Sequence, residues 1–117
     1  MDAFIGKTLV VGVLFVDNQE RPVDRYETYG RIVHISDLKG IVIEKFDKSG
    51  LFRLPPDTDN LSPASPGRYQ LKFSGMVVDN PDFTTFWTVE NTRTDDIARF
   101  KATGFAAPGT DGTERQT

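Results

Sequence analysis

Hydrophobic and polar positions follow strand-like patterns over most of this chain. The most regular part runs from Tyr29 to Asp57 and has the pattern of two β-hairpins in succession. Its two turns, at 37–40 and 47–50, each begin with Asp and end with Gly, which is typical of short hairpin loops. Because β-branched and apolar runs flank both turns, this part predicts consecutive antiparallel strands in a strongly bent sheet.

Two longer strands are predicted before and within this region. Residues 7–16 form a run that is apolar on both faces, which is typical of a strand in the middle of a core. Gly12 lies inside this run and permits a bend or a close backbone approach. The strand at 23–36 is interrupted by Gly30, where we expect a bulge.

The later part of the chain supplies more strands and then changes period. Residues 68–74 alternate strictly between apolar and polar, and residues 83–89 carry large apolar groups that would close the sheet. Thr94 can cap a helix that Gly104 ends, and Ile97 and Phe100 are spaced to share one face of that helix.

These patterns predict a mainly β fold, a small SH3-like antiparallel β-barrel of five or six strands with a short C-terminal helix. We assign residues 1–92 to the barrel domain and residues 93–104 to the helix. Residues 105–117 are predicted to be a flexible tail because this segment is rich in small and polar residues.

Composition narrows the possible functions. The chain has 117 residues, enough for one domain with its own core. It contains no cysteine, which excludes disulfides, thiolate zinc sites and thiol nucleophiles. Its net charge of −3 disfavours duplex nucleic acid as a partner, because phosphate contacts dominate that affinity.

Neither an export signal nor a membrane segment is predicted. An acid, Asp2, stands where a signal peptide would carry basic residues. The longest apolar run, at 9–16, is much shorter than the roughly twenty residues of a membrane-spanning helix. We therefore expect a cytoplasmic protein with no membrane partner.

No catalytic or metal-binding motif stands out. His34 is the one histidine, and period two places it on the face of Ile32, so we expect a packing or surface residue. A small hydrolase that uses His34 with a nearby Asp is one hypothesis to test. The acidic loops around Asp57 and Asp79 lack the spacing of a calcium loop and are explained by turn formation. We predict no catalytic residue, no metal and no cofactor.

The aromatic residues supply the candidate binding positions. Phe86 and Trp87 point to opposite faces of one strand, so both are buried only if the helix covers one face. We take Trp87 as the leading candidate for an exposed cluster, with Phe83, Tyr29 and, in the proline-rich loop, Asp57 beside it.

Several short motifs occur together between residues 4 and 90: Gly-x-Ile-Val at 30–33, Leu-Pro-Pro-Asp at 54–57, Asn-Pro-Asp-Phe at 80–83 and Trp-Thr-Val at 87–89. In combination they resemble a family of small uncharacterised bacterial proteins. This resemblance brings no catalytic residues to carry over. The hairpins also look loosely like SH3-type or Sm-type barrels, which are mostly binding modules.

The expected function is therefore that of a non-enzymatic binding module that engages another protein, for example as an immunity or adaptor protein. The alternative is an RNA- or nucleotide-binding SH3-like or Sm-like barrel, which would need exposed aromatic residues beside clustered Arg and Lys. The protein itself is expected to be a monomer or a homodimer.

Overall fold

The apolar run at the start of the chain forms the central strand of the sheet. The computed structural model describes residues 2–71, 75–90 and 94–106. The described residues form eight strands and one α-helix: β1 (Thr8–Val16), β2 (Pro22–Ser36), β3 (Gly40–Lys45), β4 (Leu51–Leu54), β5 (Ser62–Pro63), β6 (Arg68–Gln70), β7 (Val77–Asp79), β8 (Phe83–Val89) and α1 (Thr94–Thr103). Short 3-10 turns lie at Asp2–Phe4 and Thr58–Asn60.

Six of the strands form one sheet in the order β4-β3-β2-β1-β8-β5. Strand β1 pairs antiparallel with β2 but parallel with β8, so the prediction of an entirely antiparallel sheet is wrong. The period-two pattern of a strand is the same in both directions, which is why it carried no information on the direction of β8. Strand β5 pairs antiparallel with β8 at the edge of the sheet.

The prediction of a mainly β fold with a C-terminal helix is confirmed, but the described strands do not close into a barrel. Alternate residues of the central strands point to one face, here called the inner face, and bury against α1. The core on this face comprises Leu9, Val11, Val13, Phe15, Ile32, Ile41, Ile43, Phe52, Leu54, Leu61 and Ile97. Gly104, directly after the helix, forms a β-bridge with Arg53 of β4. The C-terminal end of α1 therefore lies at the β4 edge of the sheet.

The opposite side of the sheet, here called the outer face, is partly covered by a separate hairpin of β6 and β7. Leu71 and Val78 bury against Val10 of β1 in this second, smaller cluster. The long strand predicted at 68–74 is shorter than expected, because β6 ends at Gln70, and residues 72–74 lie outside the described residues. The strand therefore contributes to a covering hairpin and not to the main sheet.

A bulge in β2 changes the face on which its second half lies. The register with β3 shifts between Ile32 and His34, so Val33 is the extra residue. Ile32 lies in the core, whereas His34 pairs with Val42 on the outer face. The expectation that Ile32 and His34 share one face is wrong for this reason. The bulge expected at Gly30 lies farther along the strand, and Gly30 itself permits close contact with β3.

Helix α1 is attached to the sheet by aromatic and polar contacts. Phe100 makes edge-to-face contacts with Phe15 and Phe52, with ring centroids 5.2 and 5.9 Å apart. Phe105 folds back beyond the helix and packs on Phe100 and Trp87. Phe105 had been assigned to the predicted tail, and the remainder of that tail, from residue 107, lies outside the described residues.

Candidate functional site

The part of the outer face that the β6–β7 hairpin leaves uncovered forms a small, ordered surface. Strands β8, β1 and β2 lie side by side there, and their outward residues form two rows. We call these six residues the Phe86 surface: Phe86, Gly12 and Glu27 in the first row, and Thr88, Leu14 and Arg25 in the second. The preceding row, which includes Val10 and Tyr29, packs with the hairpin cluster.

Phe86 lies over Gly12, and the glycine makes this contact possible. A Cβ atom at Gly12 would lie 2.8 Å from Cδ1 of Phe86, so the aromatic ring occupies the space that a side chain would fill. The ring shields the strand backbone, which is a structural role. Even so, 61% of Phe86 remains exposed to solvent. Covering the glycine therefore accounts for only part of the ring's surface.

A shallow groove of about 160 Å³ runs beside the ring. Its floor includes Gly12 and Leu14 of β1, and Arg25 and Glu27 of β2 form the side opposite Phe86. The groove is apolar along its floor and charged at its rim, which is the arrangement found at the centre of protein interfaces. Its volume suits one side chain of a partner and is below the roughly 300–1,000 Å³ of a small-molecule site.

The backbone of β8 is held in place on both sides at Phe86. On one side the strand pairs with β1 over its full length. On the other side the Asn60 side-chain amide donates a hydrogen bond to the Phe86 carbonyl oxygen at 3.2 Å. The aromatic ring is therefore presented from a fixed strand, and little backbone ordering would be required when it binds.

The structure separates the four binding residues that the sequence suggested. Trp87 and Phe83 lie on the inner face, where Trp87 packs on Phe105 at 5.4 Å and Phe83 packs on Phe4 at 5.2 Å. Tyr29 lies on the outer face against Phe46 and the hairpin cluster. Asp57 is exposed in the proline-rich loop. Whether any of these residues binds a partner stays a prediction.

Phe86 is the residue that the sequence reasoning passed over. Alternation along the strand places the rings of Phe86 and Trp87 on opposite faces, and the sequence favours Trp87 as the candidate for exposure. Phe105 covers Trp87, which leaves Phe86 as the exposed member of the pair. Gly12, already singled out in β1, was the available signal, because a glycine in a central strand indicates close approach by another group.

His34 makes a contact that the sequence did not predict. Its Nε2 atom lies 2.9 Å from Oγ of Ser36, a distance compatible with a base and a nucleophile. The Ser36 hydroxyl also accepts a hydrogen bond from the Lys39 backbone at 3.0 Å, as expected for a serine that stabilises the 37–40 turn. We interpret the contact as part of this hairpin turn.

The basic side chains on the outer face are accompanied by acids. Arg31 lies with its guanidinium 5.5 Å from the centre of the Phe46 ring, which is a cation–aromatic contact. Glu44 is the direct cross-strand partner of Arg31 on β3. The arrangement is a mixed-charge sheet face at this point and not a continuous basic track.

An ion pair near the N-terminal end of β2 connects the sheet to helix α1. Lys101 donates to Asp24 at 2.8 Å, and this hydrogen bond, together with one from the Arg25 backbone, lowers the pKa of the Asp24 carboxyl. The contact lies beside a shallow depression lined by Pro22, Val23 and these three residues. It helps to hold α1 on the inner face of the sheet.

Among the described residues, no group of three or more His, Asp or Glu side chains is arranged to hold a metal ion. None of the helical segments in residues 2–71, 75–90 and 94–106 has the length and apolar character needed to cross a membrane.

No protein-family model, curated protein or solved structure matches this chain. The resemblance to a family of small bacterial proteins therefore stays a prediction.

Proposed function

We propose that this protein is a non-enzymatic binding module that engages another polypeptide chain through the Phe86 surface. The observation that carries the proposal is the exposure of Phe86 on β8, a strand that pairs with β1 over its full length. Large aromatic residues of this kind are enriched among the residues that dominate binding energy at protein interfaces. A charged rim around an apolar centre supplies specificity and excludes water.

The finer form of the proposal is an SH3-like module that serves as an immunity or adaptor protein in the cytoplasm. Its support is the acidic composition and small size of the chain, together with the six-stranded sheet. The fold-level likeness is an analogy, since one architecture carries many functions.

An RNA- or nucleotide-binding module ranks second. The Arg31–Phe46 contact is the kind of element that stacks on bases. However, Glu44 directly opposite Arg31 places negative charge where a phosphate would bind. This arrangement favours a protein partner over RNA.

Affinity capture with matched variants tests the proposed function. The wild-type chain is compared with Phe86→Ser and with Leu38→Ser, which alters a residue that is 66% exposed in the 37–40 turn, away from the Phe86 surface. We expect Phe86→Ser to weaken binding of the captured proteins at least about tenfold, because an interface centre loses its aromatic anchor. Leu38→Ser should bind as the wild type does.

Unfolding curves of both variants establish that the fold is intact. The proposal is overturned if Phe86→Ser remains folded and captures the same proteins with unchanged affinity.

A further inference from the structure

We propose that a second copy of this chain occupies the Phe86 surface, in a two-fold symmetric dimer that packs outer face against outer face. This inference rests on the proposed function, because it names the occupant of the same surface. It is argued from the order of residues in the two rows and from their charges.

The two rows complement each other under a two-fold rotation. The axis lies in the plane of the interface, runs across the strands and passes between the two rows. It brings each first-row residue opposite the second-row residue of the same strand. Glu27 then faces Arg25 of the second copy, Gly12 faces Leu14, and Phe86 faces Thr88. Every contact occurs twice, as an isologous interface requires.

Charge makes this pairing selective. Arg25 and Glu27 lie on the same face of β2, two residues apart, with Asp24 and Tyr26 directed to the other face. The rotation places opposite charges together in two contacts, both along the β2 side of the interface. Rotation about an axis parallel to the strands would instead leave Glu27 facing the Phe86 ring. Charge complementarity therefore selects one orientation of the second copy.

The shape of the surface agrees with the same orientation. Gly12 carries no side chain and is covered by the Phe86 ring, so Leu14 of the second copy would pack on this ring and in the groove beside it. The β6–β7 hairpin stands at the Val10 end of the surface only. After the rotation, the hairpin of the second copy stands at the opposite end, so the two hairpins flank the contact without meeting.

The size of the contact predicts a weak dimer. Neighbouring strands lie about 4.8 Å apart, and same-face residues lie about 6.8 Å apart along a strand. A patch of three strands and two rows is smaller than the roughly 800 Å² per partner of a standard interface. We therefore expect reversible association, with a dissociation constant between about 10 µM and 1 mM.

Sedimentation velocity over a concentration series, with charge-reversal variants, tests the proposal. Arg25→Glu and Glu27→Arg each place like charges at both contacts, so each variant alone should associate at least about tenfold more weakly than the wild type. An equimolar mixture of the two variants restores opposite charges at both contacts and should form a mixed dimer. The double variant Arg25→Glu/Glu27→Arg should also associate with itself.

Circular dichroism and unfolding curves confirm that each variant is folded. The proposal is overturned if the folded wild type remains monomeric at about 1 mM, if the single reversals do not weaken association, or if the mixture does not restore it. A monomeric wild type that still captures another protein through Phe86 would overturn the second-copy inference and leave the proposed function standing. Dimerisation with the expected charge pattern, but without Phe86-dependent capture, would support the inference and contradict binding to other proteins.

Discussion

At the scale of single residues, neighbouring positions on one strand have unequal environments. Thr85 is 6% exposed on the inner face, whereas Phe86, the next residue, is 61% exposed on the outer face. The Thr85 hydroxyl and the Trp87 indole nitrogen are buried and have no hydrogen-bond partner among the described residues. A buried polar atom without a hydrogen-bond partner lowers the free energy of unfolding. These two atoms therefore make the inner face of β8 less stable than apolar side chains of the same shape would.

Replacing the buried hydroxyl should therefore stabilise the protein. We expect Thr85→Val, which has nearly the same shape, to raise the free energy of unfolding by about 1 kcal/mol. Urea denaturation of the wild type and the variant measures this difference. Thr88→Val, at an exposed position of the same strand, controls for the change in β-propensity. A loss of stability in Thr85→Val alone would show that the hydroxyl has a partner.

At the scale of elements, the position of α1 depends on one buried lysine. Lys45 is 4% exposed and points to the inner face from β3. Its ammonium donates hydrogen bonds to the carbonyl oxygens of Lys101 and Ala102, at 2.8 and 3.2 Å, in the last turn of the helix. The cation satisfies carbonyls that have no partner within the helix and lies at the negative end of its dipole.

Lys45→Met tests this attachment, because it keeps an unbranched side chain and removes the charge. The helix carbonyls would lose their donor, and we expect a loss of about 1–3 kcal/mol in the free energy of unfolding. Hydrogen exchange should become faster in α1 than in β1 and β2, since the defect lies at the helix contact. Lys7→Met, at an exposed position, should have little effect on either measurement. Equal acceleration in every strand would contradict a local role for Lys45.

At the scale of the whole molecule, three carboxylates connect stability to pH. Each carboxylate accepts a hydrogen bond that lowers its pKa. The Arg21 backbone N–H donates to Asp17, the Lys101 ammonium donates to Asp24, and the Ser49 hydroxyl donates to Asp47. A carboxyl with a lowered pKa in the folded state binds protons less readily there than in the unfolded chain. Its stabilisation is therefore complete above the unfolded pKa of about 3.9 and is lost as the pH falls through the folded value.

Asp24→Asn isolates one of these contributions. At pH 7 the variant should be less stable than the wild type, because Lys101 loses its charged partner. We expect this difference to shrink as the pH falls below about 4, since the wild-type carboxyl then becomes neutral as well. Thermal unfolding between pH 7 and pH 2 measures it, and Asp59→Asn controls for the loss of one exposed carboxylate outside β2 and α1. A difference that persists unchanged at low pH would contradict the linkage to Asp24.

Local patterns in the sequence were sufficient to locate most elements. The strand at Leu51–Leu54 and the helix ending before Gly104 lie where turn and cap residues indicated. The prediction was less successful where a strand pairs with distant residues. The bulge at Val33, for example, depends on the register with β3 and cannot be read from alternation within β2.

At the Phe86 surface, too, neighbouring residues predicted some features and contacts between distant residues set the others. Because side chains alternate along a strand, the sequence alone predicts that Phe86 and Trp87 face opposite ways. Which ring is covered depends on long-range packing, since Phe105 and α1 pack on the inner face. The parallel pairing of β8 with β1 is also a long-range contact, and its register places Phe86 over Gly12, with Glu27 on the far side of β1. Turn chemistry and alternation are set within a few residues, whereas the direction and covering of a strand are set by contacts between distant parts of the chain.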